Sequence, residues 1–291
     1  MFRNMRFETK MFGGFYVILI LLALVAAAGY DGLARLSDRV EKNERLDSIL
    51  KGVLEARRQE KNFIIRGGKE YVSSTLGEVK KILDQAQEAR KSFQEESFKK
   101  NMDSVIQAAE SYQASFESLV KASEDKDAAL TIIRERAAAA VEQCEIISTE
   151  TRRFFKDGVS SSTGVSVLMQ GLAQAGETDE IVRIFLETRN NAKDYIASGG
   201  DPKLRQVVES LLNQVLERLN ALRSRLDKDD NLRQVDLVIG AIKDYSDNFK
   251  ILVQTFARGD QADKVMVDSA RQVQKICENI RSEEKDLMQR R

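Results

Sequence analysis

The residues of this chain best suited to binding chemistry are cations that occur twice in the same pattern. One segment, 54–68, reads LEARRQEKNFIIRGG, and a second, 186–200, reads LETRNNAKDYIASGG. Each segment places an arginine four residues before a lysine, so both side chains lie on one face of a helix. Such cations bind carboxylates through charge-assisted hydrogen bonds. The candidates for a ligand-binding site are Arg57, Arg58, Lys61, Arg189 and Lys193.

The surroundings of these cations leave two interpretations open. On the first helix, apolar spacing predicts an inward stripe that consists of Leu46, Leu50, Leu54, Arg57, Lys61 and Ile64/Ile65. Partly buried cations need negative charges to compensate them. Glu55, Glu60 and Glu187 supply some of these charges, and a bound carboxylate ligand is expected to supply the others. In the alternative, the cations lie on solvated helix flanks and pair with glutamates at helical spacing.

Two tyrosines and two cysteines are further candidates. Tyr112 and Tyr245 each precede a phenylalanine by one helical turn. We expect both in the distal one of two helical bundles, which is the bundle farther from the membrane. They are predicted to be core aromatics, with a second, smaller pocket built on their hydroxyl groups as the alternative. Cys144 and Cys277 occupy matching places on apolar stripes. We expect buried free thiols there, and a disulfide is the alternative for a region outside the cytoplasm.

Several classes of function lack their usual residues. The 291 residues include no histidine, which is the commonest general base and metal ligand. The sequence has no C-x-x-C spacing, no phosphate-binding loop and no GxGxxG motif. Because 46 basic residues balance 46 acidic ones, the chain has no overall field for nucleic acid. The sequence therefore predicts no catalytic residue, no metal site, no cofactor and no nucleic-acid partner.

The cationic segments belong to an internal repeat. They align without gaps at a separation of 132 residues. YQASFESLV at 112–120 returns as YSDNFKILV at 245–253, and CEII at 144 returns as CENI at 277, both at a separation of 133. Three collinear matches indicate a duplicated unit, which covers approximately 31–160 and 161–291.

Each repeat predicts the same three helices. A single proline and abundant alanine, leucine and glutamate favour long helices and no sheet. The predicted helices span 33–66, 69–95 and 100–156 in the first repeat and 165–198, 202–226 and 232–291 in the second. The glycine pairs at 67–68 and 199–200 are predicted to join coaxial helices, so each shorter pair lies end to end along a long helix.

The predicted fold is all-α, with two long and four short helices in two stacked four-helix bundles. The two cation pairs are expected to converge in the membrane-proximal bundle. The loop at 156–164 is expected to join the repeats at the membrane end, and the last helix is expected to return to the membrane. The chain is accordingly predicted to be the front part of a longer protein.

The N-terminal segment predicts a membrane anchor. FGGFYVILILLALVAAAGY at 12–30 follows Arg3, Arg6 and Lys10, and at 1.5 Å per residue it spans roughly 28 Å. The basic flank predicts a cytoplasmic tip at 1–11, a transmembrane helix at 12–30 and an extracytoplasmic region at 31–291. A signal peptide cleaved near Ala26–Ala28 is the alternative. We expect an uncleaved anchor whose helix continues into the next segment.

Two stretches resemble a known family. MRFETKMFGGFYVILILLALVAAAGYDGLARL at 5–36 is similar in style to bacterial methyl-accepting chemotaxis proteins. RRQEKNFIIRGG at 57–68 resembles the R-x-x-E-K-x-F-like motif of their helical bimodular sensor domain. Arg57, Arg58 and Lys61 match the basic part of this motif. Glu60 and Phe63 match its structural part, whereas the second repeat departs from it at 190–192.

This resemblance covers about residues 33–291 and implies a ligand-binding domain in the bacterial inner membrane. The implied ligand is a small organic acid, in the style of dicarboxylate or acetate sensing. The implied partners are a second copy in a homodimer, the membrane and cytoplasmic signalling domains on a further C-terminal part. Related domains on sensor histidine kinases imply an alternative, the reading of a periplasmic binding protein. A membrane-anchored helical scaffold without a small ligand is the remaining alternative.

Overall fold

The computed structural model describes residues 7–160, 164–226 and 229–289. These residues form six helices and no strand, which confirms the all-α prediction. The helices are α1 (Phe7–Arg66), α2 (Lys69–Ser92), α3 (Glu96–Ser160), α4 (Val165–Ala197), α5 (Pro202–Arg223) and α6 (Asp229–Gln289). α5 begins as predicted, because the Asp201 carboxylate accepts a hydrogen bond from the Lys203 backbone N–H and Pro202 occupies the first turn.

α1 is one continuous helix of 60 residues that includes the apolar segment. In the described part of the chain, its portion Ile18–Arg66 is the one candidate membrane span, with a mean hydropathy of 1.7 in its most apolar window. The large apolar side chains of that window, such as Leu24 and Val25, are exposed. Exposed apolar surface on every side of a helix is what a hydrocarbon environment accommodates.

The helices divide into two units. The first comprises 1–114 and 265–291, and the second comprises 115–264. The first unit thus holds α1, α2, the start of α3 and the end of α6. The second unit holds the remainder of α3, α4, α5 and the start of α6. Each unit is therefore built from four helical segments, and the two long helices each contribute to both units.

The predicted role of the glycine pairs is wrong, because each pair reverses the chain. All four glycines at 67–68 and 199–200 have positive φ, from 68° to 104°. α2 runs antiparallel to α1, so Gln85 Nε2 donates to Ser48 Oγ at 2.7 Å and Arg45 lies near Glu88 at 3.4 Å. Two successive residues in the left-handed region end one helix and turn the chain through a hairpin, which glycine permits without strain.

The inward stripe of α1 also differs from the prediction. Leu54 and Ile65 are 66% and 78% exposed. The core face of α1 consists of Leu46, Ile49, Val53, Ala56, Glu60 and Phe63. This stripe has the expected helical spacing. Because it includes the charged residue Glu60, the neighbouring stripe through Leu54 is the more apolar of the two in the sequence, and the prediction followed that one. The buried position of Glu60 is the feature from which the candidate site follows.

The second unit is organised in the same way around its own core. α4 and α5 form an antiparallel pair, and Arg218 and Glu180 form an ion pair across it at 3.9 Å. The predicted loop at 156–164 falls partly outside the described residues, at 161–163. The ends of α3 and α4 that flank it belong to this second unit, whereas the apolar start of α1 belongs to the first. The described residues that flank this segment are therefore not in the unit that contains the apolar part of α1, contrary to the prediction.

Candidate functional site

A fully buried carboxylate lies at the centre of the first cationic segment. Glu60 is 0% exposed. Its two oxygens accept hydrogen bonds from Arg57 Nη1 at 2.8 and 2.6 Å, and Tyr112 Oη donates to Oε2 at 2.6 Å. Lys61 Nζ lies 3.2 Å from Oε1. We call these four residues the Glu60 cluster.

The Glu60 cluster is arranged so that a buried charge is compensated. An ionised carboxylate is costly to bury unless it is paired and hydrogen-bonded. Arg57 lies one turn before Glu60 and remains 24% exposed, so it reaches inward while its own charge stays partly hydrated. Tyr112 comes from α3, and burial, together with its hydrogen bond to Glu60, raises the pKa of its hydroxyl well above the usual range. The hydroxyl is thus a permanent donor to the carboxylate.

Arg58, the third candidate cation of the first segment, lies on the protein surface. Arg58 is 69% exposed and pairs with Glu55 at 2.6 Å on the outer side of α1. Lys61 is 48% exposed, so its ammonium group approaches the Glu60 cluster from the solvent side. Of the three cations expected in this half, the structure brings Arg57 and Lys61 together around a carboxylate and leaves Arg58 outside. That carboxylate is the chain's own, Glu60, one of the glutamates expected to compensate the cations.

The second cationic segment lies in the second unit. Tyr245 is 1% exposed, and burial raises the pKa of its hydroxyl to about 12, while the positive charge of Arg189 acts in the opposite direction. Arg189 is half-buried and Lys193 is exposed on the same side of α4. Among the described residues, the structure gives Arg189 and Lys193 no ion pair and Tyr245 no hydrogen bond from its hydroxyl. The residue that matches Glu60 at a separation of 132 is Ala192, which is 3% exposed.

The tyrosines do not share one distal bundle as expected. Tyr112 belongs to the first unit and Tyr245 to the second, each with the cations of its own repeat. Both are core aromatics as predicted, at 5% and 1% exposure. The two cation pairs are likewise divided between the units and do not belong to one bundle. The reason is the hairpin at each glycine pair, which keeps the first two helices of a repeat within one unit.

A small cavity adjoins the Glu60 cluster. Its volume is about 20 Å³, and its walls are apolar side chains that include Val53 and Ile82, together with Tyr112. A cavity of this size holds about one water molecule. The core of the first unit therefore offers no space here for an organic acid.

A second buried ionic group was missed by the sequence reasoning. Lys42 is 7% exposed and its Nζ donates to Glu95 at 2.7 Å and to Glu284 at 3.4 Å. The same nitrogen lies 5.3 and 5.4 Å from the ring centroids of Phe93 and Phe98. Burial lowers the pKa of Lys42, but the two glutamates together raise it by more, so its pKa lies above the usual value. The signal in the sequence was its position four residues before Leu46, on the core stripe of α1.

The cysteines are buried free thiols, as expected. Burial raises the pKa of each thiol to about 12, so neither is a nucleophile at neutral pH. Cys144 belongs to the second unit and Cys277 to the first. Within the described residues, no group of three potential metal ligands comes together.

Comparison with known proteins finds a likeness among solved structures. No protein-family model matches the chain, and no curated protein matches it. A solved structure of the TorS sensor domain, in a complex with TorT in the presence of TMAO, matches 85% of this chain and 97% of its own chain. The sequences are 12% identical and the TM-score is 0.52. At this identity the likeness shows a shared helical fold and nothing further.

Proposed function

We propose that this chain is the extracytoplasmic sensor region of a bacterial inner-membrane signalling protein. The observation that carries the proposal is the continuity of α1, which runs without a break from an apolar segment long enough to span the membrane into a four-helix unit. The fold shared with the TorS sensor domain supports it, because that domain has the same helical architecture along nearly its whole length.

The packing of α6 against α1 supports a route for the signal. In the first unit, Arg281 of α6 pairs with Asp47 of α1, and Glu284 pairs with Arg39 at 3.2 Å and with Lys42 at 3.4 Å. These contacts link α6 to the helix that carries the apolar segment. A ligand that favours one packing of these helices by about 1–3 kcal/mol shifts the population of signalling states. A displacement of roughly 1–2 Å is enough to pass on such a shift.

The ligand in this proposal is a small carboxylate, and the protein acts as a homodimer in a chemoreceptor. Support comes from the repeated cations and from the Glu60 cluster, in which Arg57, Lys61 and Tyr112 surround a carboxylate of the chain itself. The proposal includes cytoplasmic signalling domains as the partners that receive the signal.

Thermal unfolding of the whole chain in detergent micelles tests direct sensing. The panel contains malate, succinate, fumarate, citrate, acetate and propionate, with chloride as the control anion. A bound acid at a hundredfold excess over its Kd is expected to raise Tm by roughly 5–10 °C. Arg57→Ala and Arg189→Ala then identify the unit involved, and Arg58→Ala is the matched exposed control. A panel without any shift would contradict direct sensing of a small acid.

A second candidate function is the sensing of a solute through a partner protein, as part of a histidine kinase. It is favoured by the TorS structure, in which a domain of the same fold is in a complex with another protein. In this case the acid panel gives no shift. Tm rises only when a purified solute-binding protein and its solute are added together, and neither addition alone has an effect.

A further inference from the structure

We infer that the order of charges along α1 and α6 holds α6 at one axial position in the first unit. Five residues form this arrangement, which we call the charge ladder: Arg39, Lys42 and Asp47 of α1 and Arg281 and Glu284 of α6. The arrangement goes beyond the proposed function, because it holds two helices of the first unit together whether or not the chain senses a solute.

The charge ladder has two rungs of opposite polarity. In one rung α6 carries the negative charge, since Glu284 lies 3.2 Å from Arg39 and 3.4 Å from Lys42. In the other rung α6 carries the positive charge, since Arg281 pairs with Asp47. Arg281 and Glu284 are three residues apart, so both lie on the side of α6 that faces α1. Along each helix, the sign of the charge that faces the other helix therefore reverses from one rung to the next.

This reversal of sign opposes sliding of α6 in either direction. The helices are antiparallel along the ladder, because the later residue of α6 pairs with the earlier residues of α1. A movement of α6 by one turn, about 5.4 Å, towards its C-terminus would place Arg281 beside Arg39 and Lys42. The same movement towards its N-terminus would place Glu284 beside Asp47. Like charges repel at such distances, so both displaced positions are less favourable than the observed one.

Shorter movements leave the buried charges compensated. The side chains of Lys42 and Glu284 are 7% and 11% exposed, so each needs a partner at every position of α6. Lys42 has a second partner in Glu95, which is 2.7 Å away and belongs to the connection between α2 and α3. Glu284 has a second partner in Arg39, whose long side chain is partly exposed. The ladder therefore permits displacements of roughly 1–2 Å and opposes displacements of a whole turn.

The test reverses one charge of the ladder at a time and measures the position of α6. Spin labels are attached at Leu54→Cys on α1 and Lys285→Cys on α6, which are exposed positions, and the two buried native cysteines are replaced by alanine. Because Glu284 lies opposite residues 39–42, the labels are separated by roughly 20 Å along the helix axes at 1.5 Å per residue. Double electron–electron resonance on the whole chain in detergent micelles gives the distribution of the distance between the labels.

The two reversals are expected to move α6 in opposite directions. Asp47→Arg repels Arg281 and offers Glu284 a new partner, so α6 moves towards its N-terminus and the label distance shortens by roughly 1–2 Å or more. Arg281→Glu repels Asp47 and attracts the two cations of α1, so α6 moves towards its C-terminus and the label distance lengthens by a similar amount. The variant with both reversals is expected to regain the original mean distance with a broader distribution, because its rungs have the same polarity and sliding brings opposite charges together.

Asp47→Asn and Arg281→Gln are the matched controls, because they remove a charge without reversing it. Each should shift the mean distance by less than the matching reversal does. If both reversals leave the distance unchanged or shift it in the same direction, the charge ladder does not set the position of α6. If a single reversal does not fold, the variant with both reversals decides, since a distribution as narrow as that of the labelled protein without reversals also overturns the inference. All these measurements are made without solute, so the acid panel tests the proposed function separately.

Discussion

Replacing Lys42 by methionine is expected to lower the free energy of unfolding of the first unit by about 2–3 kcal/mol. Removing one partner of a buried ion pair typically costs about 3–5 kcal/mol, because the other charge stays buried. Here the cost falls below that range, since Glu284 keeps Arg39 at 3.2 Å and Glu95 is 51% exposed. Methionine also retains favourable contacts between its sulfur and the rings of Phe93 and Phe98.

A double-mutant cycle isolates the ionic part of this effect. Lys42→Met, Glu284→Gln and the double variant are compared by urea unfolding of the whole chain in detergent micelles, followed by far-UV circular dichroism. Because the chain forms two units, the transition of the first unit is fitted separately. The coupling energy is expected to be about 1–3 kcal/mol. Arg45→Met is the control, since its partners Glu41 and Glu88 are exposed, and it should cost less than about 1 kcal/mol.

Two results would refute this reasoning. A loss below about 0.5 kcal/mol for Lys42→Met would show that the ammonium group is hydrated in solution, as surface cations are. A coupling energy near zero would show that Lys42 and Glu284 act independently. Either result would also remove the argument that this contact ties α6 to α1.

Three further predictions use the repeat, the turns and the pH dependence. Tyr112→Phe should lower the free energy of unfolding by about 1–3 kcal/mol, because the buried carboxylate of Glu60 loses a hydrogen-bond donor. Tyr245→Phe should change it by less than about 0.5 kcal/mol without ligand, and urea unfolding measures both effects. Gly200→Ala should cost about 1–2 kcal/mol, since φ is 104° there, whereas Gly77→Ala within α2 should stabilise by about 0.5–1 kcal/mol; equal effects would contradict the hairpin. The Lys42 hydrogen bond lowers the pKa of Glu95 below 4.5, so this contribution to stability is present above pH 4.5 and is lost as the pH falls through the folded-state pKa. A pH series of Tm should show a smaller acid loss in Lys42→Met than in the wild type, and identical profiles would contradict this assignment.

Much of the secondary structure was predictable from local signals. One proline in 291 residues, the helical spacing of apolar residues and the two glycine pairs placed the ends of α1, α4 and α5 within a few residues. The continuation of α1 through the apolar segment was also visible, since no breaker interrupts it. These features depend on short stretches of chain, and short stretches are what a sequence shows directly.

The candidate site was predictable only in part. The repeated spacing identified Arg57 and Lys61, and Glu60 was one of several glutamates available to compensate them. The apolar pattern alone favoured a stripe through Leu54, because a charged residue inside the true stripe reduces its hydrophobic contrast. The partnership with Tyr112, 52 residues further along, had no local signal.

By itself, the sequence determined the helices, their breaks, the apolar segment and the duplication. Tertiary structure decided that the helix after each glycine pair runs antiparallel to the helix before it and does not continue along the same axis. The direction after a turn depends on which apolar helix faces pack against each other. It also decided that Glu60 points into the core, where donors from two helices compensate its charge. Glu60 and Ala192 occupy matching positions of the repeat in the sequence, but only the structure shows that both positions are buried.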